Sequence, residues 1–126
     1  MFNASEFYIE TVELPQFIED AAGIFSTSEH FDLVTYIARF PDCGDLIPHG
    51  GGVRKVRWGA RGRGKSGGAR VIYYFRDLNM PVYLIAAYAK GEKMNLTMAD
   101  KKAMRGFVDR IVAEKAQRRL RVMKSA

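Results

Sequence analysis

A chain of 126 residues makes one domain with a single core, and 48% hydrophobic content argues against disorder. One cysteine, Cys43, excludes an intrachain disulfide and fits a reducing compartment. The net charge of +6 is unevenly spread: residues 1–45 carry −8 and residues 46–126 carry +14. The first residues, MFNASEFYIETVEL, lack the basic start and apolar core of a signal peptide, and the longest apolar run, VYLIAAYA at 82–89, is too short to span a bilayer. A cytoplasmic protein with a single domain over 1–126 is expected.

EFYIETV at 6–12 reads as a short strand. Leu14-Pro15 opens a helix, because proline in the first turn loses no hydrogen bond. Phe17, Ile18, Ala21 and Ala22 form its apolar stripe, and Gly23 is expected to end it. Ser26 and Glu29 fit a capping box for a second helix, with Leu33, Val34, Ile37 and Ala38 at helical spacing and Pro41 as its stop. PDCGDLIPHGGG at 41–52 is turn-rich. From Val53 the period becomes two: VRKVRW, then ARVIYYF at 69–75, then PVYLIAAYAK at 81–90 read as three strands with short connections. Thr97 with Asp100 caps a last helix whose apolar face is Met104, Phe107, Val108, Ile111 and Val112. The basic end, RRLRVMKSA, is expected to fray. The order β-α-α-β-β-β-α gives an α+β fold, an antiparallel meander packed against two N-terminal helices with a C-terminal helix.

GARGRGKS at 59–66 satisfies the P-loop pattern G-x-x-x-x-G-K-[ST]. A P-loop needs a helix immediately after it, because the helix N-terminus and the loop amides hold the phosphates. Here SGGARVIYYF follows, rich in glycine, β-branched and aromatic residues, so strand–loop–strand is expected.

The charge pattern points elsewhere. Between Asp45 and Asp77 there is no acid, but there are Arg54, Lys55, Arg57, Arg61, Arg63, Lys65, Arg70 and Arg76. Such a patch attracts phosphate backbones. If Val56, Val71, Tyr73 and Phe75 face the core, alternation puts Lys55, Arg57, Arg70 and Tyr74 together on the open side. Fixed cations with an aromatic ring suit passive nucleic-acid binding, with Tyr74 or Trp58 stacking on bases. They also suit RNA cleavage by attack of a ribose 2′-OH on the adjacent phosphate, where cations stabilise the added negative charge without a metal.

GGGVRKVRWGARGRGKSGGARVIYYF and YLIAAYAKGEKMNLT resemble the RelE/HigB superfamily of type II toxins, in particular its HigB-like branch with a long basic insertion between the first two meander strands. G-x-R-K-x-R, K-S-G-G-x-R-V-I-Y-Y and Y-A-K-x-E-x-x-x-L-T carry the resemblance, over residues 50–97. It implies an endoribonuclease that binds the ribosomal A site and cuts translated mRNA, with no cofactor. It also implies an antitoxin partner, commonly a helix-turn-helix protein of the HigA kind. On this mapping Arg57 and Arg70 take the scissile phosphate, and Lys55 and Lys90, with Lys93 beside it, hold flanking phosphate or neutralise developing charge. Arg61, Arg63 and Lys65 grip ribosomal RNA, and Arg54 and Tyr74 add RNA contacts. Some members carry a C-terminal tyrosine or histidine for proton transfer. Here no tyrosine follows Tyr88, no histidine follows His49, and Met94, Asn95 and Leu96 occupy the region after Lys93. The general base stays open among Glu92, Tyr74, His49 and a lysine of lowered pKa. The same fold serves ParE-type gyrase poisons, so fold alone does not fix the chemistry.

Overall fold

The computed structural model describes residues 7–60, 68–92 and 96–125, the side chain of Ser125 excepted. Strand β1 (Thr11–Glu13) leads into helix α1 (Pro15–Ile24) and helix α2 (Thr27–Arg39). A two-residue strand β2 (Asp45–Leu46) precedes the meander β3 (Val53–Trp58), β4 (Ala69–Tyr74) and β5 (Val82–Ala89), and helix α3 (Met98–Ser125) ends the chain. The five strands form one sheet in the order β1-β5-β4-β3-β2. The meander is antiparallel as expected, but β1 joins β5 in parallel and makes the sheet mixed. The architecture is α+β.

Both early helices start where the sequence says they should. Pro15 stands at the first turn of α1, and Ser26 closes a complete capping box with Glu29 on α2. Phe17 and Ala21 of α1 and Leu33 and Ile37 of α2 are fully buried against Val71, Tyr73, Val82 and Leu84 of the sheet. Ile18 and Ala22 do not share that burial: both are exposed, so the buried stripe of α1 is narrower than read. Gly23 lies inside α1, which runs one residue further.

Larger differences from the sequence reading fall at β1, β2 and the C-terminal end. β1 is confined to Thr11–Glu13, the three residues in register with Val82–Leu84, because a strand extends only as far as its neighbour pairs with it. β2 lies in the turn-rich stretch 41–52, and its two residues pair with Arg54 and Lys55. The basic C-terminal segment is helical to Ser125 instead of frayed. Within it Glu114 pairs with Arg118 at 2.5 Å, an i,i+4 contact that favours the helix.

The opposite sheet face carries a second cluster of Val53, Ile72, Tyr74 and Val108, joined by Met104 and Val112 of α3. Helix α3 therefore covers one end of that face. β5 reaches both clusters by alternation, and a bulge shifts the phase of that alternation partway along. Ile72 pairs with Ala86 and Tyr73 with Leu84, so Ile85 is the extra residue. Before the bulge Val82 and Leu84 face α1; after it Ala87 does. Without the insertion the strand's second half would present the opposite set of side chains to each face. The amide of Ala87, beside the bulge, donates to the Asp20 carboxylate of α1 at 3.0 Å.

Candidate nucleic-acid interface

The register of β3 and β4 sets Arg57 directly opposite Arg70. Cross-strand partners lie with Cβ atoms about 4.5–5.5 Å apart on the same face, and like charges so placed destabilise a sheet. Neither arginine forms an ion pair with a described residue; Arg70 spends one N–H on the Ala69 carbonyl at 3.2 Å. Lys55, two residues before Arg57 and on the same face, is exposed and stands opposite Asp45 of β2. The two arginines are thus gathered, beside Lys55, where folding alone gives no reason to gather them. β2 pairs only with Arg54 and Lys55, so among the described residues no strand pairs with the outer edge of β3 beyond them. A cleft of about 520 Å³ lies over that edge, lined by Tyr36, Cys43, Asp45, Lys55, Val56, Arg57, Trp58 and Arg70. The ring of Trp58 lies 5.2 Å from that of Tyr36, which fixes the wall on the α2 side.

Lys90 follows β5 and is exposed; its N–H donates to the Gly68 carbonyl at 2.9 Å, which ties it to the residue two before Arg70. Arg61, Arg63, Lys65 and Lys93 lie outside the described residues. The ends of their segment are described: Trp58 pairs with Ala69, so an antiparallel strand follows GARGRGKS where a P-loop needs a helix.

Two of the expected contacts fall elsewhere. Tyr74 shares a face with Arg70, as alternation requires, but it is 3% exposed and packs beneath α3. Alternation identifies the face and says nothing about where along it the covering helix stops. Arg54 points to the other face. Its guanidinium donates to the carbonyls of Gly44, at 2.8 Å, and Asp42, at 3.3 Å, and so braces the turn before β2. The phenol of the fully buried Tyr73 completes that brace by accepting from the Gly44 amide at 2.8 Å, and its Oη lies 3.5 Å from Cys43 Sγ. Burial pushes both the Tyr73 phenol and the Cys43 thiol above their ordinary pKa values.

Among the open candidates for a base, Tyr74 is removed from solvent. His49 is exposed in the loop before β3, with φ of 61°, and its carbonyl accepts from Arg105 of α3. Glu92 is exposed in the turn after β5, next but one to Lys90.

The sequence reading missed Tyr88. It pairs with Arg70, so Arg57, Arg70 and Tyr88 form one row across three strands. Simple alternation along VYLIAAYA groups Tyr88 with the α1-facing residues Val82 and Leu84, and only the bulge moves it to the cationic face. No sequence signal marks that bulge.

Among the described residues no helix is long and apolar enough to cross a membrane, and no group of three or more His, Cys, Asp and Glu side chains is placed to hold a metal ion. A protein-family model described as the RelE toxin of the RelE/RelB toxin–antitoxin system matches residues 43–126, which include β2 to β5, α3 and the whole cationic row.

Proposed function

Because the chain belongs to the RelE toxin family, the toxin half of a toxin–antitoxin pair, we propose that it arrests translation as a ribosome-dependent, metal-independent mRNA endoribonuclease. The single observation that carries this reading is the Arg57–Arg70 couple on one sheet face, with no ion pair to either arginine among the described residues. Two adjacent guanidiniums present N–H donors in a geometry that matches phosphate oxygens. In the reaction the 2′-OH of one nucleotide loses its proton and attacks the following phosphorus. The bond to the 5′-oxygen breaks, that oxygen takes a proton, and a 2′,3′-cyclic phosphate remains. Arg57 and Arg70 stabilise the charge that builds on the non-bridging oxygens, and Lys55 and Lys90 hold flanking phosphates.

The basic stretch between β3 and β4 supports placement in the HigB-like branch. There Arg61, Arg63 and Lys65 would grip ribosomal RNA and Lys93 would contact the message. The family carries an antitoxin partner with it; we assign a HigA-like helix-turn-helix protein, met in the cytoplasm. The test is inducible expression in bacteria with and without the neighbouring reading frame, with mapping of mRNA 5′ ends. Growth arrest with new ends inside translated codons, reversed by the neighbour, is expected. Arrest with intact message and damaged DNA would replace this reading with gyrase poisoning.

A further inference from the structure

We infer that Tyr88 is a substrate-contacting residue of this site, a stacking platform for the nucleobase beside the phosphate held by Arg57 and Arg70. The inference deepens the ribonuclease reading and rests on it for its kinetic arm. Three observations carry it. First, Tyr88 is the direct cross-strand partner of Arg70, which is the partner of Arg57. The row therefore runs from two phosphate-binding groups to an aromatic ring in one strand spacing, about 4.8 Å. Second, the ring is half-buried and packs with the cluster of Ile72, Tyr74 and Val108, so it is held in place while part of it stays open. A ring fixed before binding loses little conformational entropy on binding. Third, a specific device puts it there. The Ile85 bulge turns Tyr88 onto the cationic face, and the Asp20 carboxylate, itself held by Gln16 Nε2 at 2.8 Å, receives the Ala87 amide next door. A tyrosine needed only for packing would be served by the α1-facing core without a bulge.

Stacking is sequence-tolerant because every base has a π-face. This platform therefore fits an unpaired nucleotide of any identity, as cleavage of many messages requires.

The test uses the purified full chain and its Tyr88→Phe and Tyr88→Leu variants. One readout is single-turnover cleavage of ribosome-bound message. The other is quenching of 2-aminopurine in a short single-stranded RNA. Phenylalanine keeps the ring and is expected to keep both signals. Leucine keeps apolar packing but has no ring; it is expected to lose the quenching and to slow cleavage by roughly 5- to 150-fold, the range of a lost base stack. Quenching retained in Tyr88→Leu overturns the proposal, as does Tyr88→Phe failing equally, which would mean that the hydroxyl acts instead of the ring. Tyr88→Gln serves if the leucine variant does not fold, with the same expected losses. Should the wild-type chain cleave nothing, the ribonuclease reading falls, and the quenching still decides whether Tyr88 stacks on bases.

Discussion

At the scale of single residues, the site depends on close backbone approaches as much as on charges. A Cβ at Gly68 would run into the carbonyl oxygen of Trp58 and the amide nitrogen of Ala60, at the root of the hairpin that carries Arg57 and Arg70. Both obstacles are backbone, so neither can rotate away. Gly68→Ala is expected to lower stability by about 1–3 kcal/mol, the usual penalty of overpacking, and to lower the denaturation midpoint accordingly. Arg70→Ala has the opposite character. It removes a charge that repels Arg57 across the strand, so the folded state should be no less stable. Cleavage should nevertheless fall by roughly 10²–10³-fold, the effect of deleting one transition-state donor. Single-turnover rates beside thermal melts would separate the two effects. A melt lowered by several degrees in Arg70→Ala would instead mark Arg70 as structural.

At the scale of elements, the two faces of β5 are set by one carboxylate and one inserted residue. Asp20→Ala leaves the Ala87 amide without its acceptor. The expected loss is about 1–3 kcal/mol, because a half-buried donor is left unsatisfied. Hydrogen exchange at Ala87 should accelerate more than exchange in β3 if the bulge loosens locally. Helix α3 begins with a second reciprocal cap. The Thr97 amide donates to Asp100 at 2.9 Å, and the Asp100 amide donates to the Thr97 hydroxyl at 3.1 Å. The Thr97 backbone bond, then the side-chain bond, lowers the Asp100 carboxyl from its ordinary value of 3.8. A lowered carboxyl stabilises the fold above its unfolded-state value and loses that contribution as pH falls through the folded-state value. The first turn of α3 should therefore hold at neutral pH and open below pH 3.8, and Asp100→Asn should remove that acid transition. Far-UV circular dichroism across an acid titration of both proteins checks this.

At the scale of the whole molecule, charge is segregated along the chain: the N-terminal 45 residues carry −8, and the cationic row lies in the +14 remainder. Nine bases and three acids fall within Met98–Ser125 as well, so α3 adds positive potential beside the sheet. Association with ribosomes should be steep in salt, since each neutralised phosphate releases counterions. Replacing Lys55 and Lys90 with glutamine should reduce the slope of log affinity against log salt by roughly two, near one unit per contact. An unchanged slope would remove both lysines from the phosphate contacts.

Local rules acting over a few residues were enough to read much of this protein from its sequence. Proline at the first turn of α1, the Ser26–Glu29 box of α2 and the alternation of β3 and β4 are each determined by chain geometry within one element, and each appears where it was expected. The pairing of Arg57 with Arg70 on one face follows from that alternation and a hairpin of fixed register. Tertiary structure alone decided what depends on a distant neighbour. Tyr74 is lost to the interface because Val108 of α3, far along the chain, covers its end of the sheet. Arg54 is drawn away by carbonyls of the turn before β2. Tyr88 joins the cations because a bulge, held by a side chain 67 positions earlier than the amide it receives, reverses the faces of β5. Periodicity says which residues share a face. Which part of a face stays open is settled only when the rest of the chain packs against it.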